Sequence, residues 1–328
     1  MKRIVIIYHS SILPDAGPDE LDVLHEAEHV ANGLTALGFQ PLILPFPDDI
    51  NELISSVNNH KPEFIFNLVE TLHGDGRMIH IAPYWFEHLS IPYSGCSAHA
   101  IYTTSNKIVA KQLMFATGIK TPALLEFKDL NRLSGLDGKR YLVKSVWEHA
   151  SVGLDESKKL VFEDVNGLRD EFLFRQKAGG LYFAEEYIEG REFNITLLGG
   201  KDGVEVMPAA EICFIDFPND APRIVGYRAK WVEDSFEYTH TVRSFEFPDN
   251  AKSLLERLKG LCEKCWEVFG LRGYARVDFR VDKDGNIYVL EINANPCISP
   301  DSGFIAATMR NGIRFEDVIK RIIEDLKN

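Results

Sequence analysis

The sequence predicts a mixed α/β and α+β protein that begins with a doubly wound parallel-sheet domain. Strand-like and helix-like patterns alternate through the first third of the chain, the signature of parallel strands joined by crossover helices. The last third is strand-rich and contains two strand patterns flanking Asp282-Lys283-Asp284-Gly285, a hairpin turn signal. Between them lies a small α+β stretch built around a polar, small-residue turn.

The elements follow in order. Ile4–Tyr8 is a short apolar run that reads as a buried strand, and Leu21–Leu37 is a helix pattern closed by Gly38. Pro41–Pro45 is a second strand, Ile50–Val57 a helix, Phe64–Val69 a third strand, Met78–Leu89 a helix and Ile91–Tyr93 a short fourth strand. Ligands of such sheets bind at the carboxyl ends of the strands. No G-x-G-x-x-G follows the first strand, so a dinucleotide domain is not supported. In the middle, Asn106–Thr117 is a helix, Tyr141–Val146 a strand, Glu148–Gly153 a turn and Asp164–Lys177 a helix. Leu181–Ile188 and Glu192–Leu198 are strands around Glu189-Gly190-Arg191. Then come strands at Val204–Ala210, Arg223–Ala229, Tyr274–Val281 and Ile287–Ile292, framed by helices at Asn250–Phe269 and Phe315–Leu326. The expected units are 1–104, 105–195 and 196–328.

Composition excludes several classes. A net charge of −13 over 328 residues disfavours nucleic acid and anionic membranes as partners, although local cations can still bind a nucleotide. No apolar run reaches membrane-spanning length. Lys2 and Arg3 before Ile4–Ile7 mimic a signal peptide, but the run is too short and no cleavage site follows, so a cytoplasmic location is expected. The five cysteines are scattered and imply no disulfide framework. Cys262 and Cys265 form a CxxC without a matching pair of ligands, and read as half-buried thiols on one helix face.

The hairpin carries the chemistry. Arg276, Asp278 and Arg280 alternate on one strand and share a face, as do Glu291 and Asn293 on its partner. Antiparallel pairing can bring Asp278 beside Glu291 and Asn293. Two carboxylates and an amide oxygen are hard ligands suited to Mg²⁺ or Mn²⁺. The bland reading is a solvated charged face, but Glu291 lies in an apolar stretch where an unpaired carboxylate is costly. Lys144 stands inside a buried-looking strand, Lys107 opens a helix whose N-terminus itself favours phosphate, and Lys230 ends another strand pattern. Each lysine alone reads as a surface residue; together with a metal hairpin they point to a triphosphate. Ser151-Val152-Gly153 is a small-residue loop able to fold over phosphates, and Glu185-Glu186-Tyr187-Ile188 ends a strand whose edge can meet an adenine.

The order Lys107, Lys144, Ser151–Gly153, Glu185–Ile188, Glu192, Lys230, Arg276–Asp278 and Glu291–Asn293 resembles the ATP-grasp superfamily, and within it D-alanine–D-alanine ligase. The likeness covers nearly the whole chain. The resemblance implies an ATP-grasp fold and an ATP- and magnesium-dependent ligase that joins a small-molecule carboxylate to an amine through an acyl phosphate. Lys107 and Lys144 would contact the phosphates, with Lys230 at the γ-phosphate. Glu185 would read the adenine amino group beside backbone groups of Glu186 and Ile188, and Glu192 would hold the ribose. Asp278, Glu291 and Asn293 would hold the metals, and Arg276 the reacting carbonyl oxygen. His73 would sit near the transferred phosphate and Ser302 at the acceptor's carboxylate. The family usually forms dimers, so a homodimer is implied as well.

The substrate half departs from the family. Tyr8–Leu13 replaces a glycine-rich loop, and Leu21 stands near the position of a substrate-orienting glutamate, with Glu20 and Asp22 as alternatives. Arg77 adds a cation, His149 enters the nucleotide loop, Trp231 replaces a lid tyrosine and Cys297 a glycine. D-alanine is therefore not assumed as substrate. Competing readings are an ATP-grasp carboxylase or phosphoryl transferase, for which no bicarbonate site is visible, and a nucleotide-binding protein without catalysis.

Overall fold

The computed structural model describes residues 3–12, 17–147, 154–177 and 179–327. Its first sheet is parallel, in the order β2-β1-β3, from β1 (Ile4–His9), β2 (Gln40–Pro45) and β3 (Phe64–Leu68). β1 is apolar throughout because both of its faces are covered. Val5 and Ile7 pack on α1 (Pro18–Ala36) and on the C-terminal helices, while Ile6 and Tyr8 pack on α2 (Ile50–His60) and α3 (Ile81–His88). The doubly wound expectation therefore holds, but the fourth strand does not. Tyr93 makes a single parallel bridge to Ile65, and the chain then turns at Gly95, whose φ is +83°. Pro92, which has no N–H, supplies only its carbonyl, to Ile65.

α4 (Ala98–Ser105), absent from the predicted pattern, follows, and after Asn106 comes α5 (Lys107–Ala116), the helix expected at Asn106–Thr117. Asn106 ends the first and caps the second, its Oδ1 accepting from Val109 N at 3.2 Å. A four-stranded antiparallel sheet comes next, in the order β4-β7-β5-β6. It comprises β4 (Leu124–Leu125), β5 (Tyr141–Ser145), β6 (Val161–Phe162) and β7 (Tyr182–Glu186), with α6 (Phe127–Leu130) and α7 (Val165–Lys177) packed on one face through Leu130, Leu168 and Phe172.

The third sheet is antiparallel, in the order β11-β10-β8-β12-β13, with β9 beside β8. Its strands are β8 (Gly190–Leu198), β9 (Glu205–Val206), β10 (Ala210–Phe214), β11 (Thr241–Ser244), β12 (Tyr274–Asp282) and β13 (Ile287–Asn293). β8 crosses residue 195. α8 (Tyr227–Trp231) and α9 (Phe236–His240) lie between β10 and β11, and α10 (Lys252–Val268) covers the sheet. α11 (Gly303–Arg310) and α12 (Phe315–Glu324) close the chain and pack on α1.

Two further strand expectations fail for identifiable reasons. Val204–Ala210 splits at Pro208, which cannot donate to a ladder, into β9 and β10. Arg223–Ala229 is not a strand: its end winds into α8, and Lys230 lies on that helix. The hairpin of β12 and β13 forms where expected. Asp282 Oδ1 accepts from Asp284 N at 3.0 Å and Asn286 N at 2.8 Å, while Gly285 takes a φ of +77°. Cys262 and Cys265 are fully buried in the core under α10, not half-buried, and burial pushes both thiols well up. Among the described residues no helix is long and apolar enough to cross a membrane.

Candidate active site

The register of the hairpin sets the centre of the site. Asp278 lies opposite Glu291, and Arg276 opposite Asn293. Asp278 is buried and oriented from two sides: Oδ1 accepts from Asn194 Nδ2 of β8 at 2.8 Å and from Arg276 Nε at 2.8 Å, and Oδ2 accepts from Arg276 Nη2 at 2.9 Å. Asn293 Oδ1 accepts from Asn295 N at 3.0 Å, which fixes its amide. Burial opposes the Arg276 charge, but Asp278 and Glu291 outweigh it and raise its pKa, so this guanidinium stays charged. All three predicted ligands offer oxygen. No group of three His, Cys, Asp or Glu side chains able to hold a metal occurs among the described residues. Two carboxylates and an amide oxygen suit magnesium, which binds through one or two carboxylates and leaves positions for water and phosphates.

Lys230 joins this centre from α8. Burial lowers its pKa and Arg276 adds to the effect, while Glu291, Asp278 and Glu192 oppose it. α8 is itself anchored. Glu156 accepts from Arg228 N at 2.9 Å and Ala229 N at 3.2 Å, and Tyr227 N donates to Leu154 O at 2.8 Å. The segment that follows residues 148–153 is thus tied to the helix carrying Lys230. Ser151, Val152, Gly153 and His149 lie outside the described residues.

Lys107 N donates to Val146 O at 3.1 Å, which ties the start of α5 to the end of the strand that carries Lys144. Glu185, on β7, accepts from Lys144 Nζ at Oε1 (2.5 Å) and pairs with Lys111 Nζ at Oε2 (2.6 Å). Burial would raise the Glu185 pKa, but the two lysines bring it below the ordinary carboxylate range. Glu186 is held by Lys139 Nζ at 2.8 Å, and its backbone N–H goes to Ala123 O. Ile188 is buried in the loop before β8. Glu192 pairs with Arg280 Nη2 at 2.9 Å; burial, with Asp278 adding to it, still raises its pKa.

The remaining expected residues have local partners of their own. His73 is exposed, with a φ of +55°, and its Nε2 lies 3.5 Å from Asp48 Oδ1. Arg77 grips Asp75, with Nε–Oδ2 at 2.8 Å. Ser302 caps α11, accepting from Ile305 N at 3.2 Å. Cys297 Sγ donates to Asp22 Oδ2 at 3.1 Å, and Ser299 Oγ donates to Asp22 Oδ1 at 3.3 Å. Burial, with Glu26 and Asp22, pushes the Cys297 thiol far up, so it is a thiol and not a nucleophilic thiolate.

Two site residues escaped the sequence reading, and both left a signal. Lys111 shares the buried stripe of α5 with Lys107, Ala110 and Met114, so two lysines four apart stand on an inward face. Glu26 lies among Val23, Ala27 and Val30 on the buried stripe of α1, 3% exposed. Its Oε1 accepts from Ile298 N at 2.7 Å, and burial, with Glu70 and Asp22, raises its pKa well above the ordinary value.

The chain is similar to known proteins. The family model described as D-ala D-ala ligase C-terminus matches residues 139–324. The chain is 30% identical over 268 residues to the uncharacterized protein y4sG of Sinorhizobium fredii (strain NBRC 101917 / NGR234), spanning 79% of this chain and 73% of that one. It is 27% identical over 300 residues to D-alanine–D-alanine ligase B of Chromobacterium violaceum, spanning 90% and 88%. Among solved structures, D-alanyl-alanine synthetase A from Vibrio cholerae superposes with a TM-score of 0.78 at 18% identity, covering all of both chains. D-alanine–D-alanine ligase from Bacillus anthracis, complexed with ATP, gives 0.74 at 20%, covering 100% of this chain and 98% of that one. At these identities the likeness establishes the fold, which is ATP-grasp. The family model spans the chain from just before β5 to the end of α12, and the chain belongs to the D-ala D-ala ligase family.

Proposed function

We propose that the chain is an ATP- and magnesium-dependent ligase that joins a carboxylate to an amine through an acyl phosphate. The single observation that carries the reading is the face formed by Asp278, Glu291, Arg276 and Asn293 in register, with Lys230 delivered to it from α8. The ATP in the Bacillus anthracis relative supports the choice of nucleotide.

Asp278, Glu291 and Asn293 would hold magnesium (or manganese), whose charge offsets that of the phosphates. Lys107 and Lys144 bind the phosphates, aided by Ser151-Val152-Gly153, and Lys230 reaches the γ-phosphate. A donor carboxylate oxygen attacks the γ-phosphorus; the bond to ADP breaks and ADP leaves. The acceptor amine then attacks the acyl carbon, phosphate leaves with the electron pair of the broken C–O bond, and the ammonium proton passes to solvent or base. Arg276, kept charged by Asp278, stabilises the oxyanion of that second step, where fixed charges supply most of the catalysis. The acyl phosphate would hydrolyse in water, so the ties from Leu154 and Glu156 to α8 serve closure. Glu185 reads the adenine amino group beside Glu186 and Ile188, and Glu192 holds the ribose. His73 and Ser302 stand for the transferred phosphate and the acceptor carboxylate.

The test is ADP release with ATP, magnesium and a library of amino acids and dipeptides. Amine-dependent release with a new amide product is expected. ATP hydrolysis that no acceptor accelerates and that yields no amide would overturn the reading.

A further inference from the structure

Glu185 is 2% exposed, yet it meets two lysines that differ in kind. Lys111 is equally buried, and its Nζ donates to Thr121 Oγ1 at 2.7 Å while pairing with Glu185 Oε2 at 2.6 Å. It has two fixed partners and no open side. Lys144 is 19% exposed and stands on β5, close to the segment that enters the nucleotide loop. Its short partner is Glu185 Oε1, while Glu291 and Glu192 attract it only from farther away. The nucleotide requires both ends of this second pair. Phosphates call for Lys144, and an exocyclic amino group on the base calls for a carboxylate oxygen with an open acceptor position.

We infer that the Lys144–Glu185 pair is an exchangeable lock: Lys111 remains the permanent counter-ion of Glu185, whereas Lys144 leaves for the nucleotide's phosphates and frees Oε1 for the adenine amino group. The inference rests on the ligase reading for its ligand, and it adds a positioning residue, Lys111, and a coupling. The exchange breaks one charged contact and forms two, to phosphate and to base. Glu185 stays charged throughout because Lys111 does not move. A nucleoside without phosphates must displace Lys144 and give it nothing in return. A nucleotide whose base lacks the amino group leaves Oε1 without its new partner. Base and phosphate recognition are therefore positively coupled, and each strengthens the other by the same factor.

Binding measurements on the full chain test this, with adenosine, ADP and inosine 5′-diphosphate as probes, since inosine carries an oxo group in place of the amino group. Lys144→Met should weaken ADP by about tenfold or more, a loss of about 1.4 kcal/mol per tenfold. The same variant should bind adenosine several-fold more tightly than the wild type, because Oε1 is already open. If Lys144 only held phosphates, adenosine affinity would not change; if it only held the fold, both affinities would fall. Either result overturns the lock. Lys111→Met should erase the preference for ADP over inosine 5′-diphosphate, and Lys111→Arg should restore it. An undiminished preference in Lys111→Met would remove its positioning role. The double variant Lys111→Met/Glu185→Gln, which leaves no unpaired buried carboxylate, guards against a simple folding failure and should also lack the preference. A wild type that binds adenine nucleotides in this pattern but never forms an amide would sink the ligase reading and leave the lock intact. A wild-type protein that binds no adenine nucleotide would overturn both.

Discussion

Glu185 and Glu26 are the same residue type at the same depth, and the protein treats them oppositely. At the nucleotide end each buried carboxylate meets a cation: Glu185 has Lys111 and Lys144, Asp278 has Arg276, and Glu192 has Arg280. At the other end Glu26 meets a backbone N–H from Ile298 and feels Glu70 and Asp22, while Cys297 donates to Asp22. The Glu185 pKa is accordingly lowered and the Glu26 pKa raised. Burial alone raises both; the neighbours decide the sign. On the proposed reading, the first end is a set of fixed charges suited to polyanionic phosphates. The end around Cys297 is acidic, and burial with Glu70 and Asp22 makes Glu26 hold its proton more tightly than an ordinary carboxyl.

The strongest way to break the contrast is to remove the acid between the two lysines. Glu185→Gln removes the counter-charge that pairs directly with Lys111 and Lys144 and should cost about 3–5 kcal/mol of stability, read from urea unfolding. An unchanged midpoint would mean that the lysines find other partners. Next comes the metal face. Glu291→Gln should lower metal-dependent ADP release by about a hundredfold to a thousandfold, the scale for losing one preorganised charge-stabilising group. Turnover at the wild-type rate would sink the assignment of Glu291.

A pH experiment sharpens the opposite end. Because the Glu26 pKa is raised in the folded chain, the folded state holds a proton that the unfolded state releases above the ordinary value of 4.5. The unfolded state then binds fewer protons, so this group makes stability fall as pH rises above that value. Glu26→Gln keeps an oxygen for Ile298 N and removes the proton. Its melting temperature should match wild type near about pH 4 and exceed it by a growing margin toward about pH 8. A margin that shrinks with pH would show that Glu26 is charged in the fold.

The two ends were also unequally legible. The hairpin could be read because strand periodicity places Arg276, Asp278 and Glu291 on a face, and the turn Asp282–Gly285 states the register. Lys230 was legible by type but not by element, since Arg223–Ala229 has strand composition while Glu156, far along the chain, caps the helix that forms instead. Lys111 and Glu26 were hidden only by convention. Both are charged residues on the apolar stripe of a helix, and the stripe itself was in plain view. What no pattern could supply is the partner: Thr121 for Lys111 and Ile298 N for Glu26 come from tertiary packing.

Cys297 gives the smallest expected effect and the finest discrimination between the two ends. It replaces a glycine of the resembling family, so it could be chemistry or mere shape. Its Sγ donates to Asp22 Oδ2 at 3.1 Å and to Ser299 Oγ at 3.2 Å, and Ser299 N donates back to it at 3.3 Å. With burial, Glu26 and Asp22 all holding the proton on, the thiolate fraction at neutral pH is negligible. A serine can make the same donations from the same place, so Cys297→Ser should keep ADP release within about twofold of wild type, the scale of a substitution that breaks no named interaction. Alkylation of the wild-type thiol should be slow and should quicken only as pH climbs well past neutrality. Fast alkylation at neutral pH together with lost turnover in the serine variant would show that the thiol ionises against the acidic field around Asp22 and Glu26 and takes part in turnover.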